Sequence, residues 1–391
     1  MKILLLTLML LISPWLTAQP AVTLTAEQRA EFERLLPGVE LTPELVAMMS
    51  EISLNADLPV HERLKAISRL SGIDQLPEGQ RLKRVICIWD IVGRNGPVFG
   101  AAMEQRAQAL EYGIELEMIP YTNEGVMVEE FKAGRCDAAL MSGLRARQFN
   151  LYSGTLDAIG AVPDRKHLKT LFQVATHPQN ANKMVQGQYV VLGIFPAGAA
   201  HAFVNDRSIN TLAKATGKKV AVLDYDQVQS QMIAGIGATP VATDITRAPG
   251  MFNNGVVDIL AAPLLGYEIL ELYKGMTPNG GIIKYPLAQI TMQLIGRLEK
   301  FPNEVAQLVR EGSVEQFDTI TKMIMQEETN IPERWWIPIP QHDMETYEVM
   351  MQQARLSLRE REYYHADMLT LQRRVRCKFN SDRAECVNPV E

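Results

Sequence analysis

The polar side chains best placed to hold a small molecule follow predicted strands, because loops at the carboxyl ends of parallel strands form binding sites. The first such loop, residues 90–97, reads DIVGRNGP and leads from a predicted strand into a predicted helix. Its backbone N–H groups and Arg94 could hold an anion, since its glycines allow close approach. The alternative is an ordinary tight turn with a solvated arginine. Asp90, Arg94 and Asn95 are the predicted ligand contacts of this loop.

Two further loops of the first half carry hydrogen-bonding side chains in the same kind of position. Thr122 and Asn123 follow the second predicted strand, and Ser142 and Arg145 follow the third. Hydroxyl, amide and guanidinium groups can each orient a small polar ligand. We therefore predict these four residues as ligand contacts, and we expect Arg147 to face water.

The second half of the chain offers equivalent loops at residues 224–226, 244–246 and 262–263. The predicted contacts there are Asp224, Tyr225, Asp244, Thr246 and Ala262. Tyr225 is the strongest candidate, because a phenol ring can stack on a ligand while its hydroxyl donates a hydrogen bond. Asp226 and Thr246 could instead be helix N-caps, which would satisfy free backbone donors.

Several classes of function are disfavoured by the sequence. It lacks a Gly-x-Ser-x-Gly elbow, a His-Glu-x-x-His pair and a phosphate-binding Gly-x-x-x-x-Gly-Lys-Ser/Thr loop. The six histidines are scattered and show no metal-ligand spacing. The net charge is −6 with both signs mixed, so no basic stripe indicates a nucleic-acid surface. We predict a binding protein with no catalytic residue, metal or cofactor; a histidine-based hydrolase is the disfavoured alternative.

The elements that would position these loops occur twice along the chain. The pattern Phe-x-x-Gly-x-x-Asp is found at residues 131–137 (FKAGRCD) and at residues 252–258 (FNNGVVD). Each copy closes a strand-helix-strand-helix pattern and precedes a short apolar run. In both copies we expect the glycine to end a helix in a left-handed turn and the aspartate to lead into a buried strand. The repetition predicts two similar β-α-β-α-β lobes that face a shared cleft.

A run of β-branched and aromatic residues, YVVLGIFPAGAAHAFV, connects the two repeated units. It predicts a crossing strand, where a hinge between the lobes would lie. We place the first lobe at residues 83–192 and the second at residues 193–285. Three segments with apolar residues at helical spacing predict a helical extension over residues 19–82, and a returning strand followed by helices is predicted over residues 286–391.

The amino terminus, residues 1–18, has the features of a cleaved secretory signal. Lys2 supplies a positive start, an apolar run follows, and Leu16-Thr17-Ala18 is a small-residue cleavage site. Pro14 interrupts the apolar run, which is therefore too short for a membrane anchor. No later segment is long and apolar enough to span a bilayer. The mature chain is predicted to be exported, without a membrane span.

Because the chain is predicted to be exported, its four cysteines can pair as disulfides. Cys377 and Cys386 enclose a short polar loop, and we predict that they pair with each other. Cys87 lies within a predicted strand and Cys136 just before one. These two are either buried small residues or the partners of a second bridge.

Three segments of the second half carry a resemblance to a known family: residues 217–222 (GKKVAV), 237–240 (GATP) and 254–258 (NGVVD), with Pro263 after them. They resemble the ligand-binding subunits of tripartite ATP-independent periplasmic (TRAP) transporters, most clearly from Thr211 to Tyr273. The helical segment before Arg81 is typical of a branch of solute-binding proteins. Some members of that branch carry a label linking them to RND-type efflux and aminoglycoside resistance.

The resemblance implies a fold, a location and partners. The fold would be an α/β, two-lobed, periplasmic-binding-protein-like fold of type II (DctP-like), with a helical N-terminal extension and a helical C-terminal region. The location would be periplasmic. The chain would capture a small polar or amphipathic ligand in an interlobe cleft and serve a TRAP-like membrane transporter. The alternative is an accessory or scaffold protein of an envelope transport or efflux complex, with a vestigial cleft.

The chain departs from the TRAP pattern at two ligand-binding positions. The resemblance places the family's carboxylate-binding arginine at Ala221, or at Val222 if the register slips by one residue. It places the family's asparagine at Ala262. Because a bidentate arginine clamp is what recognises organic acids, the usual substrate class does not follow from the resemblance. Arginines of the other lobe (Arg94 or Arg145) could substitute, or the acidic residues Asp90, Asp224 and Asp226 could favour an amine.

Overall fold

The computed structural model describes residues 42–55 and 57–391. Two predictions fall outside these residues: the secretory signal at residues 1–18 and the first helical segment of the N-terminal extension, residues 26–36. The two later segments of the extension are helices, named α1 and α2 below.

Strands from both repeated units belong to one sheet. In chain order they are β1 (Leu82–Trp89), β2 (Ile114–Tyr121), β3 (Ala138–Ser142), β4 (Val185–Gln186), β5 (Tyr189–Val204), β6 (Lys219–Leu223), β7 (Thr239–Thr243), β8 (Ile259–Pro263), β9 (Gly281–Ile283), β10 (Ala288–Arg297) and β11 (Trp336–Ile337). The main path through the sheet runs β2-β1-β3-β10-β5-β8-β6-β7. β1 pairs in parallel with β2 and β3, and β6 pairs in parallel with β7 and β8. These groups form the first lobe and the second lobe respectively.

Helices flank the strands and make up most of the carboxyl-terminal region. They are α1 (Pro43–Leu54), α2 (Val60–Ser71), α3 (Pro97–Glu111), α4 (Glu124–Lys132), α5 (Gly143–Ala146), α6 (Leu151–Gly154), α7 (Arg165–Ala175), α8 (Leu212–Ala215), α9 (Gln227–Gly235), α10 (Ala248–Asn253), α11 (Gly266–Ile269), α12 (Tyr273–Met276), α13 (Asn303–Glu315), α14 (Phe317–Thr329), α15 (Gln341–Glu360), α16 (Ala366–Phe379) and α17 (Ala384–Val387). Among the described residues, no helix combines the length and apolar character needed to cross a membrane.

The predicted crossing segment is a single strand, β5, and it belongs to both lobes. Residues 189–200 of β5 pair with the antiparallel strand β10, whereas residues 200–204 pair with β8. The hydrogen-bonded path is therefore continuous from one lobe to the other, but the lobes use different stretches of the same strand. Pro196 and Gly198, the latter with φ of +90°, lie near the end of the stretch that pairs with β10, and that pairing shifts register beside Pro196.

The repeated motif plays the same structural role in each lobe. Phe131 and Phe252 are fully buried in the cores of the first and second lobe. Gly134 and Gly255 follow the helices α4 and α10 with φ of +85° and +70°. This left-handed conformation is favourable for glycine alone, as the sequence predicts.

The aspartate of each motif fastens its strand to the first strand of the lobe. The Asp137 carboxylate accepts the N–H of Val85 at 2.9 Å, and the Asp137 N–H donates to the Val85 carbonyl at 2.8 Å. In the second lobe, Asp258 makes the same pair of hydrogen bonds with Lys219, each at 2.8 Å. The two lobes are thus built by the same local device.

All four cysteines form disulfides. Cys377 pairs with Cys386 across 5.6 Å between Cα atoms, which confirms the predicted bridge. Cys87 of β1 pairs with Cys136, whose Cα atom is 5.8 Å away, so the second bridge left open by the sequence is present. Both of these residues are also fully buried, and their bridge ties β1 to the chain that enters β3.

The carboxyl-terminal helices are held by a buried group of charges. Arg376 of α16 donates to Glu385 at 2.6 Å and to the Glu391 carboxylate at 2.5 Å, and Arg355 of α15 donates to Glu391 at 2.6 Å. Burial opposes ionisation of Glu385, but hydrogen bonds from Arg376 and Arg383 outweigh it and lower its pKa to about 2. Because that pKa lies below its ordinary value of 4.5, the Glu385 carboxylate stabilises the fold above about pH 4.5, and this contribution is lost as the pH falls towards 2.

Replacing Gly255 with alanine is expected to lower the free energy of unfolding by about 1–2 kcal/mol, since an L residue is strained at that positive φ. Apart from the adjoining residues, no atom of the described chain lies within 4 Å of the added methyl group, so the expected cause is backbone strain and not a clash. Gly100→Ala, at an equally open position within α3, is the control and is expected to stabilise by up to about 1 kcal/mol. Urea unfolding measures both, and a stabilising effect of Gly255→Ala would contradict the proposed backbone role.

Arg376→Met is expected to lower the free energy of unfolding by about 3–5 kcal/mol, because it leaves buried carboxylates without their partner. Arg374→Met is the matched control, since Arg374 is exposed on the same helix and its loss should change stability little. The same urea titration compares the two variants. Equal effects would show that the buried charges do not hold the carboxyl-terminal helices.

Candidate functional site

The loops at the carboxyl ends of the parallel strands in the two lobes face each other. The Thr246 hydroxyl, from the loop after β7, lies 3.5 Å from the Thr122 carbonyl, which follows β2. The guanidinium of Arg145, after β3, lies 3.5 Å from the ring centroid of Tyr225, after β6. These four predicted residues therefore meet in two pairs across the interlobe cleft, at the carboxyl ends of strands, where ligands bind in α/β proteins.

Arg145 is held at the cleft by the start of helix α5. The Ser142 side chain caps this helix and accepts the N–H of Arg145 at 3.3 Å. A Cβ atom at Gly143 would overlap with the side chains of Thr291 and Asp157. The glycine therefore allows the loop after β3 to lie directly against β10, which places Arg145 over the cleft.

Glu124 lies beneath Arg145 and is one of the most deeply buried charged residues, with 1% of its surface exposed. One carboxylate oxygen accepts the N–H of Ser142 at 2.7 Å. The other lies 3.7 Å from Nε of Arg145. Burial raises the pKa of Glu124, although the hydrogen bonds from Ser142 and the charge of Arg145 oppose the rise. Glu124 is missing from the predicted contacts, because acidic residues are common in the first turn of a helix.

Three buried polar atoms at this contact have no hydrogen-bond partner among the described residues: Glu124 Oε2, Arg145 Nε and Tyr225 Oη. Two of them come from the first lobe and one from the second. Burial raises the pKa of Tyr225 above its ordinary value, and the neighbouring Glu124 raises it further. Since buried polar groups are normally hydrogen-bonded, this concentration of free donors and acceptors marks the contact as a candidate binding site.

Arg147 does not face water, contrary to the expectation from the sequence. It is buried, and its guanidinium lies 4.2 Å and 5.1 Å from the ring centroids of Tyr363 and Tyr364. These tyrosines form the turn between α15 and α16, and the Tyr363 hydroxyl donates to the Asp226 carboxylate. This turn with its two tyrosines thus connects the first lobe to the second. Local sequence patterns do not predict that it lies here.

A buried acid lies where the first lobe meets β10. The Asp157 carboxylate accepts the Thr291 hydroxyl at 2.7 Å and the Thr291 N–H at 3.2 Å. Burial raises the pKa of Asp157 to about 7, and the hydrogen bonds from Thr291 and the charge of Arg147 limit the rise. The carboxyl group is therefore partly protonated near neutral pH. Like Glu124, Asp157 is absent from the predicted contacts, since it lies in a short helical turn with no motif around it.

The first predicted loop is built around Asp90, which caps helix α3. Its buried carboxylate accepts three backbone N–H groups at 2.8–3.0 Å, those of Val92, Val98 and Phe99. Arg94 and Asn95 are exposed, and the Arg94 guanidinium lies 5.8 Å from the Phe99 ring centroid. Asp90 thus has a structural role in this fold, whereas ligand contacts by Arg94 and Asn95 remain predictions.

Other predicted contacts also have local partners. Asn123 caps α4 by accepting the N–H of Val126 at 2.9 Å. The Asp244 carboxylate accepts the backbone N–H groups of Thr246 and Arg247, at 2.9 Å each. It also forms an ion pair with the Arg247 side chain. Asp224 is exposed, with an oxygen 4.0 Å from Arg247. Of the two predicted N-caps, Asp226 caps α9 with a 2.9 Å hydrogen bond, whereas the residue at the cap of α10 is Arg247 rather than Thr246.

Ala262 is buried in β8, directly opposite His201 of β5. Ala221, at the position expected for the TRAP arginine, is buried in the same core cluster of the second lobe. His201 places Nδ1 2.9 Å from the Ile283 carbonyl, and burial lowers its pKa. No group of three or more potential metal ligands is present in the part of the chain that the structure describes.

Comparison with known proteins gives both a family and a curated relative. Residues 98–389 match the family described as solute-binding protein AdeT 1/2. The chain is 38% identical over 299 residues to the probable solute-binding protein AdeT1 of Acinetobacter baumannii, an alignment that covers 76% of this chain and 98% of the relative.

Solved structures with a similar fold are TRAP periplasmic solute-binding proteins. One, from Desulfovibrio salexigens, is 15% identical with a TM-score of 0.63, and the match covers 76% of this chain and 99% of the other. Another, from Ralstonia eutropha, is 13% identical with a TM-score of 0.60 and the same coverage. At such identities the likeness shows the fold alone, and it confirms the predicted two-lobed α/β class of the periplasmic binding proteins.

The fold and the relatives agree on one class of protein. The predicted resemblance to solute-binding proteins is confirmed by the length of the family match and by the identity to a curated member. The chain belongs to the solute-binding protein AdeT 1/2 family.

Proposed function

We propose that this solute-binding protein captures a small polar molecule in the interlobe cleft, at the contact between Arg145 and Tyr225. One observation carries the proposal: Glu124, Arg145 and Tyr225 together present a buried acceptor, a donor and a hydroxyl without hydrogen-bond partners among the described residues. A ligand that supplied those hydrogen bonds would remove the cost of leaving them unmade, which is about 1–3 kcal/mol for each group.

Ligand binding is proposed to stabilise the closed arrangement of the lobes. Arg145 with Tyr225, and Thr122 with Thr246, are contacts that form only when the lobes approach. A ligand that touches both sides favours that arrangement through its differential affinity. The proposed boundary between the lobes, at residues 192 and 193, falls inside β5, whose Pro196 and Gly198 would supply the hinge.

The partners and the location are also proposals. Export to the periplasm and delivery of the ligand to a TRAP-like membrane transporter are supported by the family and by the solved neighbours, two of which hold orotic acid and acetolactate. Arg145 could bind the acidic group of such a molecule. Sequencing the amino terminus of the purified protein would test the proposed cleavage after Ala18.

We propose that the protein binds its ligand without catalysis, since its family and its fold are those of solute-binding proteins.

The second candidate function is that of an accessory protein in an envelope transport or efflux complex. It is favoured by Ala221 and Ala262, which bury apolar groups where the TRAP pattern has polar ones. Cross-linking in cells distinguishes the two: an accessory role predicts stable protein partners regardless of ligand.

Tyr225→Phe is expected to leave the unliganded protein as stable as before or slightly more stable, because the removed hydroxyl is buried without a partner. The ligand-induced rise in melting temperature should nevertheless shrink, measured against a metabolite panel of organic acids, amines, amino acids and sugars. Tyr267→Phe is the control: that hydroxyl accepts from Trp335 Nε1 at 3.0 Å, so its loss should destabilise by about 1 kcal/mol without altering ligand responses. An unchanged response in Tyr225→Phe would contradict the proposed site.

Closure of the cleft can be followed with a Thr122→Cys, Thr246→Cys double variant and a short thiol cross-linker. Because these residues meet across the cleft, cross-linking should become faster when a stabilising compound from the panel is present. Thr122→Cys with Ser208→Cys is the control pair, since Ser208 follows the far end of β5, where β8 begins. A ligand effect that is equal for both pairs, or absent from both, would argue against closure around the ligand.

A further inference from the structure

Glu124 and Arg145 form an incomplete pair of opposite charges. Their side chains are 1% and 15% exposed, yet Glu124 Oε2 and Arg145 Nε are 3.7 Å apart and share no hydrogen bond. Elsewhere in the molecule, buried Arg376 and Glu385 are joined by two hydrogen bonds, of 2.8 Å and 2.6 Å. The fold can therefore build a tight buried pair, and the looser one lies at the cleft.

We infer that the cleft binds a free α-amino acid, whose ammonium group donates to Glu124 and whose carboxylate accepts from Arg145. This inference rests on the proposed function, because it assigns a ligand class to the same site. It extends that function by naming both charges of the ligand and the residue that recognises each.

The charge of the pair determines which ligands fit. A simple carboxylate would pair with Arg145 but add a second negative charge beside buried Glu124. A simple amine would pair with Glu124 but add a positive charge beside Arg145. Burying a charge without a partner is costly, whereas a zwitterion supplies one partner for each. Another arginine of the first lobe, Arg147, has acidic neighbours of its own in Asp226 and Asp157.

The surroundings of the pair also suit such a ligand. The Tyr225 ring lies under the Arg145 guanidinium and restricts its orientation, so the guanidinium N–H groups remain available for a carboxylate. Gly125 lies beside them, and a Cβ atom there would approach Arg145 Nη2 to 3.1 Å. The Tyr225 hydroxyl, from the opposite lobe, can then donate to the ligand carboxylate and connect ligand binding to closure.

The test uses the full chain freed of bound molecules by partial unfolding and dialysis. Each of the common amino acids is compared with the matched compounds that lack its amino or its carboxylate group, for example phenylalanine, 3-phenylpropionate and 2-phenylethylamine. Melting temperatures identify the responding amino acid, and calorimetry measures its affinity. We expect both single-charge counterparts to bind at least about tenfold more weakly, since each loses a charge-assisted hydrogen bond.

Two variants assign the charges separately. Glu124→Gln should weaken binding of the amino acid at least about tenfold and shift preference towards its carboxylate-only counterpart, and Arg145→Gln should shift preference towards the amine. The controls are Glu129→Gln and Arg135→Gln, because both residues are exposed in the same lobe and should leave preference unchanged. Circular dichroism of each unliganded variant shows whether it is folded, and the preference ratio remains informative at reduced stability.

Different failures lead to different conclusions. Equal affinity of wild-type protein for an amino acid and its carboxylate counterpart, or an unchanged preference in Glu124→Gln, would overturn the inference. Binding of simple acids, amines or sugars without any amino acid would also overturn it, while leaving the proposed solute-binding function in place. An absence of binding to every compound of the extended metabolite panel would contradict both.

Discussion

The structure depends on the backbone hydrogen bonds of one long strand. β5 supplies the edge on which β10 completes the first lobe and, further along, the edge on which β8 completes the second. Because a strand offers its donors and acceptors along its whole length, one segment can serve two lobes. We propose that the lobes tilt about Pro196 and Gly198, where the pairing of β5 with β10 shifts register.

The cleft follows from this arrangement. Parallel strands in each lobe end on the side that faces the other lobe, so the loops after β2, β3, β6 and β7 converge without any further constraint. The side chains of Asp90, Asn123, Ser142 and Asp244, which follow β1, β2, β3 and β7, accept backbone N–H groups and so have structural roles. At the contact between these loops, three buried atoms lack hydrogen-bond partners among the described residues, Glu124 Oε2, Arg145 Nε and Tyr225 Oη, and they account for the ligand specificity that we propose.

Local patterns predicted the repeated lobes well: the left-handed glycines and the crossing strand follow from short segments. The aspartates lead into strands as predicted, but their hydrogen bonds to Val85 and Lys219 join segments far apart in the chain and were not predicted. The site was predicted less completely. Arg145 and Tyr225 could be chosen as polar residues after strands, but Glu124 looks like an ordinary first-turn acid until its burial is known.

Long-range contacts explain the remaining differences. Arg147 is buried because Tyr363 and Tyr364 reach it from a turn more than 200 positions away in the chain. Nothing in the local sequence of either segment indicates that meeting. The pairing of Cys87 with Cys136 could not be predicted from the sequence for the same reason. The bridge can form only because β1 lies next to the chain that enters β3.

We propose above that the two lobes close on a small molecule at the contact of Arg145 with Tyr225. Native mass spectrometry of the protein, purified gently from the cells that make it, can detect that molecule. We expect the wild-type protein to carry one small molecule of defined mass, and an equally folded Arg145→Gln protein to carry none. A wild-type protein free of small molecules, or equal retention of the same molecule by the variant, would contradict it.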